Sequence, residues 1–115
     1  MARRLTVVNL KNGALRNLNL QQTNDLLEII DGKVSERKRY LKVAILAALF
    51  YDCSFGKFYS SNEIAKRSQR YTNKNSDMSS SVAGNLLGMM YRMEILERTA
   101  SPPYSYKLRE RYRNE

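Results

Sequence analysis

The chain has 115 residues, with 20 lysines and arginines against 11 aspartates and glutamates, which gives a formal net charge of +9. This length suits one domain, and 43% hydrophobic residues are enough for a folded core, so a wholly disordered chain is excluded. Histidine is absent and Cys53 is the single cysteine, which excludes His-based catalytic groups, an internal disulfide and a multi-cysteine zinc site.

The N-terminal part predicts a small extension. Apolar residues alternate over residues 4–20 around Asn12-Gly13, a dipeptide that favours the type I′ turn of a two-residue hairpin. We therefore expect a β-hairpin here, with a loop and one strand as the alternative. A short helix follows, capped by Thr23 or Asn24 and ended by Asp31-Gly32, because glycine is common just after a helix C-terminus.

Residues 35–53 predict the central helix of the fold. All but one of the residues from Tyr40 to Tyr51 are apolar or aromatic, a pattern typical of a helix that is buried on most sides. The first turns of this helix carry four cations, which are Arg37, Lys38, Arg39 and Lys42. These cations could reach a phosphate backbone, or they could belong to an ordinary solvated helix end.

The C-terminal half predicts two helices and a β-hairpin. Ser60 and Glu63 have the spacing of a capping box, which predicts a short helix with Ile64 and Ala65 facing inward. A long polar turn over residues 71–78 precedes a third helix over residues 79–93. The predicted apolar side of this helix consists of Val82 or Ala83, Leu86, Leu87, Met90 and Met93. Two strands are then predicted, and the loop between them contains Pro-Pro, which a central strand would not tolerate. The predicted strands cover residues 95–98 and 104–108.

The order of these elements resembles that of the winged helix-turn-helix family. Residues 60–65 resemble the family's positioning helix, and residues 82–93 resemble its recognition helix. Residues 93–98 (MEILER) resemble the segment that leads into the wing, and residues 104–108 (YSYKL) resemble the returning wing strand. The resemblance implies a mainly helical α+β fold with a small β-hairpin wing, and it implies binding to double-stranded DNA.

The resemblance also divides the chain into three parts. Residues 36–110 would form the winged-helix domain, and residues 111–115 would form a basic tail, expected as a disordered arm. Residues 1–35 lie outside the resemblance, and we expect this hairpin and helix to support a homodimer. Two features differ from ordinary family members: the turn over residues 71–78 is longer, and residues 79–93 contain a single charge, Arg92.

The positive charge lies in two blocks on either side of the predicted recognition helix. Residues 57–74 hold five cations and Glu63, and residues 98–113 hold five cations and Glu110, so each block has a net charge of five minus one, or +4. Cations that neutralise phosphates release counterions, which supplies most of non-specific DNA affinity. An ordinary solubilising surface is the alternative interpretation.

These patterns give a set of candidate DNA contacts. The hydroxyls of Ser79, Ser80 and Ser81 at the helix N-terminus can hold a phosphate, although at least one of them, or Asp77, must cap the helix. Asn85 can pair with adenine, with an ordinary solvated polar residue as the alternative, and glycines leave a smooth strip on the helix. The predicted base or groove contacts are Ser80, Ser81, Gly84, Asn85 and Gly88. The predicted backbone contacts are Lys57, Lys66, Arg67, Arg70, Lys74, Arg92, Arg98, Lys107, Arg109 and Arg111.

The sequence therefore predicts a small DNA-binding transcriptional regulator that is cytoplasmic, nucleoid-associated and homodimeric. A DNA-packaging protein without sequence choice and a winged-helix protein-interaction module are the alternatives. Carboxylates are scattered, and the chain has no glycine-rich phosphate loop or nucleophile elbow. We therefore expect no enzymatic activity, no cofactor and no metal, and we expect no association with a membrane because no apolar run approaches the roughly 20 residues of a membrane span.

Overall fold

A computed structural model of the protein describes residues 15–30 and 36–112. This part of the chain is mainly helical and carries a small antiparallel sheet of three strands, which confirms the predicted α+β class. The helices are α1 (Leu20–Ile29), α2 (Glu36–Ala47), α3 (Ser61–Ser68) and α4 (Ser80–Arg92). The strands are β1 (Tyr59–Ser60), β2 (Leu96–Arg98) and β3 (Ser105–Leu108). Single turns of π-helix or 3₁₀-helix cover Ala48–Asp52, Gln69–Tyr71, Asn75–Asp77 and Glu110–Tyr112.

Helix α2 is the centre of the core, as its apolar sequence predicts. The side chains of residues 43–48 are fully buried. Helices α1, α3 and α4 and the π-helical turn all pack against α2. The predicted helix over residues 35–53 is therefore confirmed over its described length, with its last turn widened into the π-helix.

The caps and apolar stripes predicted for α3 and α4 are confirmed. The Ser60 hydroxyl accepts from the Glu63 backbone N–H at 3.2 Å, and the Ser60 N–H donates to the Glu63 carboxylate at 2.8 Å. In α4, the Ser79 hydroxyl accepts from the Val82 N–H. The buried side of α4 consists of Ala83, Leu86, Leu87 and Met90.

The sheet has the strand order β1-β3-β2. The β2–β3 hairpin confirms the two predicted strands to within one residue at their starts, with Leu96 opposite Leu108. Strand β1 was not predicted because two residues carry no alternation pattern. It pairs Tyr59 with Tyr106 and so joins the segment before α3 to the hairpin.

The prediction of a strand at the end of residues 4–20 is wrong. Residues 15–19 form a turn in which the Leu18 N–H donates to the Leu15 carbonyl at 3.1 Å. Asn17 has a φ of 65°, a left-handed conformation that asparagine tolerates well. The first arm of the predicted hairpin and its Asn12-Gly13 turn lie outside the described residues.

The predicted cap of the first helix is also wrong. Helix α1 begins at Leu20, and its cap is Asn19, whose side chain accepts from the Gln22 N–H at 2.7 Å. The Gln22 side chain accepts from the Asn19 N–H, so the two residues form a reciprocal capping box that satisfies two backbone donors. Thr23 is buried inside the helix. The predicted stop at Asp31-Gly32 lies outside the described residues.

Two predictions about basic residues need correction. Lys42 does not face a phosphate backbone, because it is only 1% exposed and its ammonium donates to the Met93 sulfur at 3.6 Å. Arg111 is not part of a disordered arm, because it lies in the 3₁₀-helical turn and donates to the Glu94 carbonyl at 2.9 Å. The side chain of Arg37 and residues 113–115 lie outside the described part of the chain.

Candidate nucleic-acid interface

The exposed face of α4 is narrow and carries no carboxylate. Successive residues of a helix are 100° apart, so Ser81, Asn85, Gly88 and Arg92 lie opposite the buried stripe. Ser81, Asn85 and Arg92 are exposed, and Gly88 is half-buried. The helix contains neither aspartate nor glutamate. Its outer face therefore combines one hydroxyl, one amide and one guanidinium with no negative charge.

Two glycines, Gly84 and Gly88, leave the helix backbone uncovered by side chains on or beside this face. A Cβ atom at Gly84 would meet nothing within 4 Å, so the space beside it is open. A Cβ atom at Gly88 would lie 3.7 Å from the Arg92 guanidinium, which folds back along the helix. A surface without side chains at these two positions can approach another molecule closely, as glycine permits.

The N-terminus of α4 forms a polar cleft with α3. The Ser80 hydroxyl donates to the Asn62 side-chain oxygen, and the exposed Lys66 lies in the same cleft of about 320 Å³. Gln69 closes one end of the cleft and donates to the Met78 carbonyl at 3.0 Å. Backbone N–H groups in the first turn of a helix lack intrahelical acceptors, so the N-terminus of α4 offers donors and Lys66 offers a cation to an anion. The Glu63 carboxylate also lines the cleft, where it accepts from the Ser60 N–H.

A second depression lies between α4 and α2. It has a volume of about 510 Å³. Its lining residues are Lys38, Leu41, Val82, Asn85, Leu86, Met89 and Arg92. Cations therefore stand on both flanks of the α4 face, with Lys66 on the α3 side and Lys38 on the α2 side.

The predicted cationic block over residues 57–74 is divided among several surfaces. Lys57 and Arg67 both lie against the ring of Tyr59, at 5.4 and 4.8 Å from its centre. Arg70 pairs with Asp52 at 3.2 Å and also lies over the ring of Tyr71. Lys66 is the member of this block that lies in the cleft beside α4. Lys74 is exposed on the turn between α3 and α4.

Three cations of the C-terminal block, Arg98, Lys107 and Arg111, contact aromatic rings or the backbone. The Arg98 guanidinium lies 4.1 Å from the centre of the Tyr91 ring and 3.9 Å from that of Tyr104, so it links the hairpin to α4. Lys107 lies over Phe58 at 4.8 Å. Arg109 is half-buried, and its Nε has no hydrogen-bond acceptor among the described residues. Of the predicted backbone contacts, Arg98 is the one held most firmly by other side chains.

The single cysteine is poorly reactive. Cys53 is half-buried just after the π-helical turn. Burial raises the pKa of its thiol from 9.0 to about 11, more than the nearby Arg67 lowers it. A thiol with this pKa is protonated at neutral pH, whereas a nucleophilic cysteine needs a thiolate.

Sequence reasoning missed two residues at these surfaces. Asn62 lines the α3–α4 cleft together with Ser80. Its position in the first turn of the predicted capped helix is the sequence signal that could have identified it. Phe58 is 37% exposed beside β1, a feature that depends on a strand that was not predicted. Across residues 15–30 and 36–112, no cluster of three metal-ligating side chains occurs, and no helix has the length and apolarity to cross a membrane.

Known proteins provide no direct guide to this interface. Comparison with protein-family models, curated proteins and solved structures finds no match to this chain. The chemistry of the exposed surfaces is therefore the basis for assigning a function.

Proposed function

We propose that this protein is a winged-helix DNA-binding protein, a small transcriptional regulator that places the exposed face of α4 in a groove of duplex DNA. The observation that carries the proposal is the α4 face itself, which is free of carboxylates, flattened by two glycines and flanked by cations from α2 and α3. The order of long helix, short capped helix, exposed helix and hairpin supports the proposal, because it is the order on which the family resemblance rests.

Each group on this face has a definite role in the proposal. The major groove of B-DNA admits one α-helix, and Gly84 and Gly88 let the α4 backbone approach the bases. Asn85 donates to and accepts from an adenine edge, which is its usual bidentate contact. Ser80, Ser81 and Lys66 hold a phosphate at the N-terminus of α4, where the helix dipole favours an anion.

The protein would act as a homodimer that remains with the nucleoid in the cytoplasm. A two-fold dimer presents two copies of α4 to half-sites about one helical turn apart, so dimerisation would double the contacts described above. Helix α1 is the segment that we propose for this contact, and Arg16 lies outside it on the preceding turn.

Binding without sequence choice is the second candidate. On the second half of the outer face of α4, the hydrogen-bonding side chains are the amide of Asn85 and the guanidinium of Arg92. The proposed interface therefore has few groups that could contact bases and more that could contact phosphates. Phosphate contacts position a protein but carry no sequence information, so this balance favours a packaging role. A specificity ratio below about 10³ between selected and random duplexes would favour packaging over regulation.

Two substitutions test the proposed roles. Asn85→Ala should relax sequence preference, because it removes the predicted base contact, whereas Lys66→Ala should weaken binding to all sequences alike. Fluorescence anisotropy on duplexes from an in vitro selection and on random duplexes measures both effects. Arg16→Ala is the matched control, because it removes an exposed cation on the turn before α1.

The outcome is informative in either direction. Loss of affinity in Lys66→Ala with no loss in Arg16→Ala supports the α4 interface. Equal losses in these two variants would mean that net charge alone attracts DNA, and the proposed α4 interface would be wrong.

A further inference from the structure

We propose that the groove between α2 and α4 binds a small amphipathic monocarboxylate, and that this ligand excludes DNA from the α4 face. The exclusion rests on the proposed function, whereas the binding of the carboxylate does not. The groove differs from the polar cleft at the other flank of α4 because it joins an apolar floor to a cationic rim.

Four of the residues that line the groove are apolar. Leu41 and Leu86 are buried at its base, and Val82 and Met89 are half-buried along its wall. Val82 and Arg92 are ten residues apart in α4, so the groove runs for about 15 Å at 1.5 Å per residue. A floor of this kind accepts an alkyl or aromatic body and gains free energy from removing its surface from water.

The polar groups around the floor are cations and one amide. Arg92 and Lys38 line the groove, together with Asn85, and none of its lining residues in the described part of the chain is a carboxylate. Lys42 lies one helical turn after Lys38, and its buried ammonium contacts the sulfur of Met93, the residue that follows Arg92. A thioether is a weak acceptor, so the Lys42 ammonium has no anionic hydrogen-bond partner among the described residues, and the Arg92 guanidinium is exposed beside it.

The size of the groove favours a small molecule as its occupant. Small-molecule sites in proteins enclose about 300–1,000 Å³ and combine apolar walls with a few polar groups. The groove has about 510 Å³ and matches this description. The charge of the rim selects the sign of the ligand, and the single cationic end suits one carboxylate rather than a polyanion.

The groove shares two residues with the proposed DNA interface. Asn85 and Arg92 lie on its rim and also on the outer face of α4. A ligand whose carboxylate pairs with the Arg92 guanidinium occupies the group that would otherwise contact a phosphate. The protein would thereby release DNA when the carboxylate is abundant.

Decanoate is a suitable probe, and methionine methyl groups report where it binds. In a ¹³C-methyl NMR titration of the full chain below the micellar concentration, the Met89 signal should shift and saturate. The signal of Met78, a fully buried residue outside the groove, should stay in place. Decanol, which has the same chain without the charge, should bind at least about tenfold more weakly if a charge-assisted hydrogen bond is made.

Substitutions separate the two parts of the site. By calorimetry, Arg92→Gln should weaken decanoate binding by about tenfold or more through loss of the charged contact, and Met89→Gln should weaken it through loss of the apolar floor. Arg16→Gln removes a cation elsewhere on the surface and should leave decanoate binding unchanged.

Equal binding of decanol and decanoate would overturn the proposal, and so would a decanoate titration that leaves Met89 unmoved. The last experiment adds decanoate or decanol to the protein bound to duplex DNA. Release of bound DNA by decanoate, and not by decanol, supports exclusion, and DNA that stays bound at saturating decanoate overturns it. A protein that binds decanoate at Met89 but does not bind DNA would retain the ligand site and refute the proposed function instead.

Discussion

Lys42 is the residue whose environment differs most from the expectation for its type. Lysine is almost never fully buried without a partner of opposite charge, yet this side chain is 1% exposed and donates to a thioether. Burial lowers the pKa of Lys42, and the nearby Lys38 lowers it further. Keeping this ammonium charged at neutral pH therefore costs the folded protein free energy.

Replacing Lys42 with methionine should stabilise the protein. A buried polar group that is poorly compensated costs about 1–3 kcal/mol, so Lys42→Met should raise the free energy of unfolding by that amount at pH 7. Because the folded-state pKa lies below 10.5, the unfolded chain binds more protons in the alkaline range, and the wild type recovers stability as the pH rises towards 10.5. The difference between the two proteins should therefore shrink from pH 7 to pH 10 in urea unfolding.

The control for this prediction is Lys66→Met, which replaces an exposed lysine. It should change the free energy of unfolding by no more than about 0.5 kcal/mol. A Lys42→Met protein that is less stable than the wild type at pH 7 would mean that the ammonium has a stabilising partner and that its burial is not a net cost.

Arg98 should stabilise the hairpin rather than contact DNA. Its guanidinium lies between two tyrosine rings at about the spacing of a stacked contact. Two cation–π contacts of a half-buried guanidinium predict that Arg98→Ala lowers the free energy of unfolding by about 1–3 kcal/mol. Chemical denaturation measures this loss, and Arg92→Ala, which removes an exposed arginine, should lower the value by less than about 0.5 kcal/mol. Equal effects of the two substitutions would contradict the stacked role.

At the scale of elements, α4 combines a well-packed inner side with an outer side that is poor in side chains. Glycine costs about 1 kcal/mol relative to alanine inside a helix. Neither Gly84 nor Gly88 is required by packing, because an added Cβ would have ordinary space at both positions. The presence of two destabilising residues on the outer face calls for a reason outside the fold, and we propose that this reason is the close approach of DNA.

The double substitution Gly84→Ala/Gly88→Ala should separate stability from function. It should raise the free energy of unfolding by about 1–2 kcal/mol, since each alanine removes an entropic cost. It should also lower the affinity for duplex DNA, because two methyl groups hold α4 away from the groove. Thermal unfolding and anisotropy titration measure the two effects on one sample. A variant that gains stability and keeps its full affinity would show that the glycines do not serve DNA binding.

Elements with strong local signals were predictable from the sequence. The capping box at Ser60 and the apolar stripe of α4 are encoded within a few residues, so both helices were placed correctly. The turn around Leu15 and Leu18 was not predicted correctly, because two apolar residues three positions apart are compatible with a turn as well as with a strand. Strand β1 exists only through pairing with β3, a partner more than 40 residues away that no local pattern reveals.

At the scale of the whole molecule, the cations that form two blocks in the sequence lie on several different surfaces of the folded protein. The exposure of Ser81 and Asn85 followed from helical periodicity and was predictable. The separation of the cations onto different surfaces was not predictable, because it depends on which aromatic ring or carboxylate each cation contacts in the folded protein. Arg70 meets Asp52 and Arg98 meets two tyrosines, whereas Lys66 and Arg92 remain exposed beside the α4 face.

The proposed interface therefore uses fewer cations than the sequence blocks contain, but it holds them on both flanks of one helix. We propose that this arrangement holds the phosphate strands that border a groove of duplex DNA. It predicts strong binding to duplex DNA of any sequence, with a smaller increment from the contacts of Asn85.

The salt dependence of binding to a random duplex is the most direct test of the proposed contacts between the cations beside α4 and the DNA phosphates. If the cations beside α4 in the two protomers of the proposed dimer together neutralise about six phosphates, the association constant should fall by about 10³ between 50 and 200 mM salt, with a linear dependence of log K on log salt concentration. An affinity that is unchanged over this range, or no measurable binding at 50 mM salt, would contradict binding through the phosphate backbone.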